Sequence, residues 1–132
     1  MIISAPWPHS GLSPNARLHR AQKATLTKGY KATVGWEAKA QGIRRIEART
    51  LFVTITFHPP DKRPRDRDNM IASCKAAQDA IAALIGVDDS RWVPTYRVGE
   101  PIKGGRVVFA FPEVTVGMTD AELLDDARRP RL

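Results

Sequence analysis

An α+β fold, with a small mixed β-sheet packed by two main helices, is what this sequence predicts. Three observations predict it. Residues 50–58 alternate apolar and polar side chains with the period of a half-buried strand. Residues 69–85 carry apolar side chains at helical spacing, between an acidic start and a glycine. Along the chain the segments read as strand, helix, strand, helix, strand, strand, helix, an order that calls for helices packed on a mixed sheet.

Residues 2–7 predict a short strand, closed by Pro6 and Pro8. A loop from His9 to Pro14 follows. Ser13 or Asn15 is placed to cap a helix over much of 17–41, because short polar side chains accept bonds from free first-turn N–H groups. Pro14 is tolerated in that first turn. Leu18, Ala21, Thr25, Ala32, Trp36 and Ala40 supply the helix with a stripe, and Gly29 marks a candidate break. In the strand at 50–58, Leu51, Val53, Ile55 and Phe57 form one face, and Pro59-Pro60 ends it. The helix at 69–85 takes Asp68 as N-cap and Gly86 as left-handed stop. Residues 92–98 and 106–111 predict two further strands, joined as a hairpin through Gly104-Gly105. Thr119-Asp120-Ala121-Glu122 is a capping-box pattern that opens a short helix to about Ala127, before a basic tail at 128–132.

At 132 residues and 42% hydrophobic composition, the chain is expected to form a single domain, 1–132, with its own core. The single Cys74 excludes an intrachain disulfide and a cysteine-based zinc site. No apolar run is long enough to span a bilayer, and residues 1–6 do not read as a secretion signal. A soluble, cytoplasmic protein without a membrane partner is the expectation. The net charge is +7, and all of that excess falls in residues 1–50, where nine basic side chains face two acidic ones. Such a basic third suits a polyanion, and it equally suits a solvated helix face.

Against this basic background four acids stand in two tight groups: Asp66 with Asp68, and Asp88 with Asp89. Clustered carboxylates repel one another unless a cation is present. Mg²⁺ is hard, prefers oxygen, and takes one or two carboxylates with waters and phosphate oxygens. Bound to a phosphodiester, it supplies Lewis-acid chemistry for hydrolysis. Lys75 follows Asp68 by nearly two helical turns, which places it on the same face of a continuous helix, ready to hold a phosphate. Each residue also has a plainer role. Asp68 serves as a cap, Asp66 as partner to Arg65 or Arg67, and Asp88 and Asp89 as turn formers. Glycine-rich phosphate loops and a His-Glu-x-x-His motif are absent. Cys74 falls on the apolar helix stripe, as a packing residue.

The run His58-Pro59-Pro60-Asp61-Lys62-Arg63-Pro64-Arg65-Asp66-Arg67-Asp68-Asn69, then a helix-length gap, then Gly86-Val87-Asp88-Asp89, resembles the RusA family of Holliday junction resolvases. Ser13-Pro14-Asn15-x-Arg17 and Lys103-Gly104-Gly105-Arg106 extend the resemblance, which covers about residues 6–111. It implies a RusA-like fold and a homodimer of bacterial or phage origin. Its activity would be Mg²⁺-dependent cleavage of four-way DNA junctions by paired nicks in recombination and repair, with Mn²⁺ as a substitute ion. Asp66, Asp68 and Asp89 match the family's essential acids, and Asp88 the adjacent one. The family's lysine position, four residues after the second aspartate, is Ala72 here, and Lys75 is the substitute.

A straight helix over 69–85 would be roughly 25 Å long. The few residues from Ile85 to Asp89 reach roughly 14 Å at most, too little to return to Asp68. Two antiparallel helices in a twofold dimer would bring Asp89 of one chain to Asp66 and Asp68 of the other. A shorter or broken helix that folds Asp89 back is the alternative. Lys62, Arg63, Arg65 and Arg67 beside the acids, with Asn15, Arg17, Arg20 and Lys23, are the candidate DNA contacts. Other readings are a non-catalytic DNA-binding protein, a nuclease for flaps or forks, and a structural protein whose acids only cap and neutralise.

Overall fold

The alternation in strand β2 (Leu51–His58) puts Leu51, Val53, Ile55 and Phe57 on one fully buried face. This strand is an interior member of a four-stranded sheet in a computed structural model that describes residues 1–112. The helix expected at 119–127 and the tail at 128–132 lie outside the described residues. The other strands are β1 (Ile2–Pro6), β3 (Trp92–Val98) and β4 (Arg106–Ala110), in the order β1-β4-β2-β3. Register carries the core across the sheet. Ile3 faces Phe109, which faces Ile55, and Ala5 faces Val107, which faces Phe57. All six are buried, so a one-residue slip would turn the core outward. The fold is α+β, as expected from the order of segments.

The expected hairpin between the last two strands does not form. β3 pairs in parallel with β2, while β4 pairs antiparallel with β2 on its other side. Gly104 and Gly105 do turn the chain, with φ of +82° and +74°. The loop leading to them is tied across the end of β2: Gly99 N donates to Phe57 O at 2.8 Å, and Ile102 N to Pro59 O at 2.9 Å. These bonds carry the chain past β2 instead of back along β3. As an edge strand, β3 tolerates Pro94, whose missing N–H costs no ladder bond when it faces away from β2.

A parallel pair requires a crossover. It contains α2 (Arg67–Ser73) and α3 (Lys75–Ile85). The sequence predicts one helix here, but the chain breaks at Cys74, whose φ and ψ are −90° and 1°. Nothing at this position signals a break, since there is neither proline nor glycine. Asp66, not Asp68, is the N-cap: its Oδ1 accepts from Asn69 N at 3.1 Å. Gly86 ends α3 in the left-handed conformation, at φ +77°, as expected.

α1 (Arg20–Ala40) starts later than expected. The hydroxyl of Ser13 accepts from Asn15 N within a local turn, and His19 caps the helix through Nδ1, which accepts from Ala21 N at 3.3 Å. The helix runs unbroken through Gly29. Its inward stripe is Tyr30, Val34 and Ala38, packed on α3 and β1, with Leu26 partly buried beside it. The stripe read from the sequence faces water instead, and Trp36 is 76% exposed. Just beyond α1, Gln41 closes the free edge of β1. Its side-chain amide accepts from Ser4 N at 2.7 Å and donates to Ser4 O at 2.8 Å, in place of a neighbouring strand.

Candidate functional site

The loop between β2 and α2 is organised by Asp61, which the sequence reading did not single out. Its carboxylate accepts from Arg63 N at 3.0 Å and ion-pairs with Arg65 at 2.9 Å. Arg65 and Arg63 together hold this carboxyl down to about 2, well below the usual range. Arg65 also donates to the carbonyls of Asp61 and Arg63, and its guanidinium stands 5.8 Å from the centroid of the Trp7 ring. With 18% side-chain exposure, Arg65 is largely a structural cation. The Arg63 side chain is 80% exposed and Lys62 is exposed as well. Arg67 reaches the other way and donates to the Tyr96 carbonyl on β3, which ties the start of α2 to the sheet edge.

Asp66 and Asp68 are thus held by different means. Asp66 commits one oxygen to capping α2. Asp68 lies in the first turn of α2, exposed to solvent.

The helix break resets the phase of everything after it. Lys75 becomes the first residue of α3 and is ion-paired to Asp89, and it is also 3.1 Å from Asp79 one helical turn on. Asp79 in turn lies 4.0 Å from Lys31 on α1. The hydrogen bond that Lys75 donates to Asp89 is the chief cause raising the Lys75 pKa. Asp88 takes the turn-forming role: its carboxylate accepts from Ser90 N at 3.0 Å and from the Ser90 hydroxyl, which together lower its pKa. The single straight helix expected over 69–85 is therefore not formed: the crossover is two helices broken at Cys74. Asp89 folds back within its own chain as far as Lys75. Asp79 was legible as the i+4 partner of Lys75 on a helix; Asp61 lies in a loop, where helical spacing gives no signal for its pairing with Arg65.

Among the described residues, no three of His, Cys, Asp and Glu gather closely enough to hold a metal ion. A closed three-carboxylate centre of Asp66, Asp68 and Asp89 is not formed by one chain. The donors remain chemically suited to Mg²⁺, which needs only one or two carboxylates when phosphate oxygens and waters complete its shell. Asp66 also lines a groove of about 410 Å³ between the Trp7–Ser13 segment and the start of α2.

A second electropositive surface lies on α1, where Arg20, Lys23, Lys28 and Lys31 line an open hollow with no acid among the described residues of its walls. Asn15 and Arg17 are exposed in the loop that leads to it. No described helix is long and apolar enough to cross a membrane.

The fold and this surface define a small α+β protein with a basic crossover loop and a basic first helix. No family model matches the chain. It is 32% identical over 117 residues to an "Uncharacterized protein" of Xylella fastidiosa (strain Temecula1 / ATCC 700964), covering 86% of this chain and 76% of the relative. The chain belongs to the family of that protein.

Proposed function

We propose that this protein is a Mg²⁺-dependent, structure-specific endodeoxyribonuclease of RusA type that resolves four-way DNA junctions by paired nicks. One observation supports this above the rest. The crossover folds Asp89, remote in sequence, back to Lys75 beside the α2–α3 junction, while Asp66 and Asp68 flank Arg67 at the start of α2. Exposed Arg63 and Lys62 beside these acids offset the repulsion between carboxylates and incoming phosphates. Arg17, Arg20 and Lys23, with Asn15, continue a basic track that positions the DNA backbone without reading its sequence. Mn²⁺ would substitute for Mg²⁺ on the same oxygen donors. A homodimer acting in the bacterial cytoplasm follows from the substrate, because two symmetric nicks need two sites in fixed relation.

The test is cleavage of a synthetic four-way junction with and without Mg²⁺. Asp68→Asn should abolish cleavage and leave junction binding intact or tighter. Equal cleavage by the variant removes the aspartate mechanism. Preference for flaps or forks in the same assay would change the substrate assignment.

A non-catalytic DNA-binding protein is the second reading. It is favoured by the capping role of Asp66 and by the Lys75–Asp89 ion pair, both of which occupy groups that catalysis would use. Binding without cleavage under any divalent ion would establish it.

A further inference from the structure

The groove beside Asp66 has the chemistry of a nucleotide site. Its walls include the Trp7 indole, the guanidinium-bearing Arg63 and Arg65, His9, Ser13 and Asp66. Stacked aromatic faces beside arginines are how proteins hold unpaired bases, because every base has a π-face. At about 410 Å³ the space falls in the range of small-ligand pockets.

Trp7 is held in place before any ligand arrives. Phe57 meets its ring edge-on, with centroids 6.3 Å apart at 82°. Arg65 stands over it, fixed by Asp61. Behind it a Cβ on Gly105 would fall 2.7 Å from Trp7 Cβ, so only glycine leaves room. One residue earlier, Tyr30 Oη donates to Pro6 O at 2.7 Å. In the same lining, His9 Nδ1 accepts from Gly11 N at 2.9 Å, which leaves the neutral ring's proton on Nε2 as a donor. Among the described residues the groove thus combines an immobilised aromatic ring, two arginines that share Asp61 as an ion-pair partner and stand beside Asp66, and polar groups for a base edge. Nothing in the proposed hydrolysis uses Trp7 or His9.

We propose that this groove receives one unstacked nucleotide of the DNA strand, with its base against Trp7 and its phosphate at Arg63. The inference rests on the reading of the protein as one that acts on branched DNA. Branch points are where such a nucleotide is most cheaply available, since unstacking costs least where pairing is already interrupted. Holding it there would set which phosphodiester lies beside Asp66 and Asp68.

Fluorescence tests this in the folded full chain. With Trp36→Phe removing the exposed indole, a short oligothymidylate should quench the remaining emission saturably, and a blunt duplex should not. Adding Trp7→Phe should remove most of that quenching signal. Trp7→Ala should weaken oligothymidylate binding by roughly tenfold or more, while binding of the blunt duplex stays within about twofold. Absence of saturable quenching, or equal quenching by duplex, overturns the proposal even if junction cleavage is intact. Quenching that persists in a protein unable to cut any junction upholds the groove and rejects the nuclease.

Discussion

Lys75 at the start of α3 is ion-paired to Asp89 in the turn beyond that helix's end, although the two are fourteen residues apart in sequence. The same ammonium is 3.1 Å from Asp79, so one cation joins the first turn of α3 to the chain that leads into β3. The pair closes the crossover on itself and sets where Asp89 lies.

Substitution of Lys75 by methionine should separate the structural from the catalytic role. Lys75 is more than half exposed, so solvent screens the pair, and the loss of stability should not exceed about 1 kcal/mol. The raised pKa of Lys75 means its contribution is present below the ordinary value of 10.5 and is lost as pH rises through the higher folded value. Urea denaturation of wild type and Lys75→Met should therefore converge in that alkaline range. Under the proposed function, junction cleavage falls far more than stability does.

The position of the helix cap makes a second prediction. Asp66→Ala should cost about 1 kcal/mol, the usual price of a lost N-cap, because Asn69 N loses its acceptor. Asp68→Asn removes no cap and should stay within about 0.5 kcal/mol. Thermal unfolding of the two variants tests this ordering. The reverse ordering would restore Asp68 as the cap.

Cys74 sits buried at the helix break, and burial pushes its thiol up to about 12. A thiol reagent should leave it unmodified at pH 8 until the protein unfolds. Because the folded pKa lies above the ordinary 9.0, stability should fall as pH rises from about 9 toward 12. Cys74→Ala should flatten that slope between about pH 9 and 10, below the range in which the buried Tyr30 hydroxyl, also raised, contributes. Chemical denaturation at a series of pH values measures the slope.

Several of these features were open to reading from the chain alone. The alternation of Leu51, Val53, Ile55 and Phe57 is a local period, and Gly86 is a local stop; both are where they were expected. Asp88 forms the turn that its residue type favours. α1 shows the limit of such reading. Two faces of that helix carry apolar residues, one of them with the large Trp36, yet Tyr30, Val34 and Ala38 are the ones buried. Which face turns inward depends on α3 and β1, not on the helix. The candidate acids divide in the same way: their grouping along the chain was visible, but the capping role of Asp66 and the partner of Asp89 were not.

What the sequence by itself determined is the four strands and the helical character of the two segments between them, the buried face of β2 and the concentration of positive charge, since periodicity and composition are properties of neighbouring residues. Only the tertiary structure decided that β3 lies parallel to β2, that the crossover bends at Cys74, and that Asp89 returns to Lys75. Strand partners and ion pairs of this kind join residues far apart in sequence. They are selected by whole-molecule packing, in which the bonds from Gly99 and Ile102 across the end of β2 outweigh the local preference of two glycines for a hairpin.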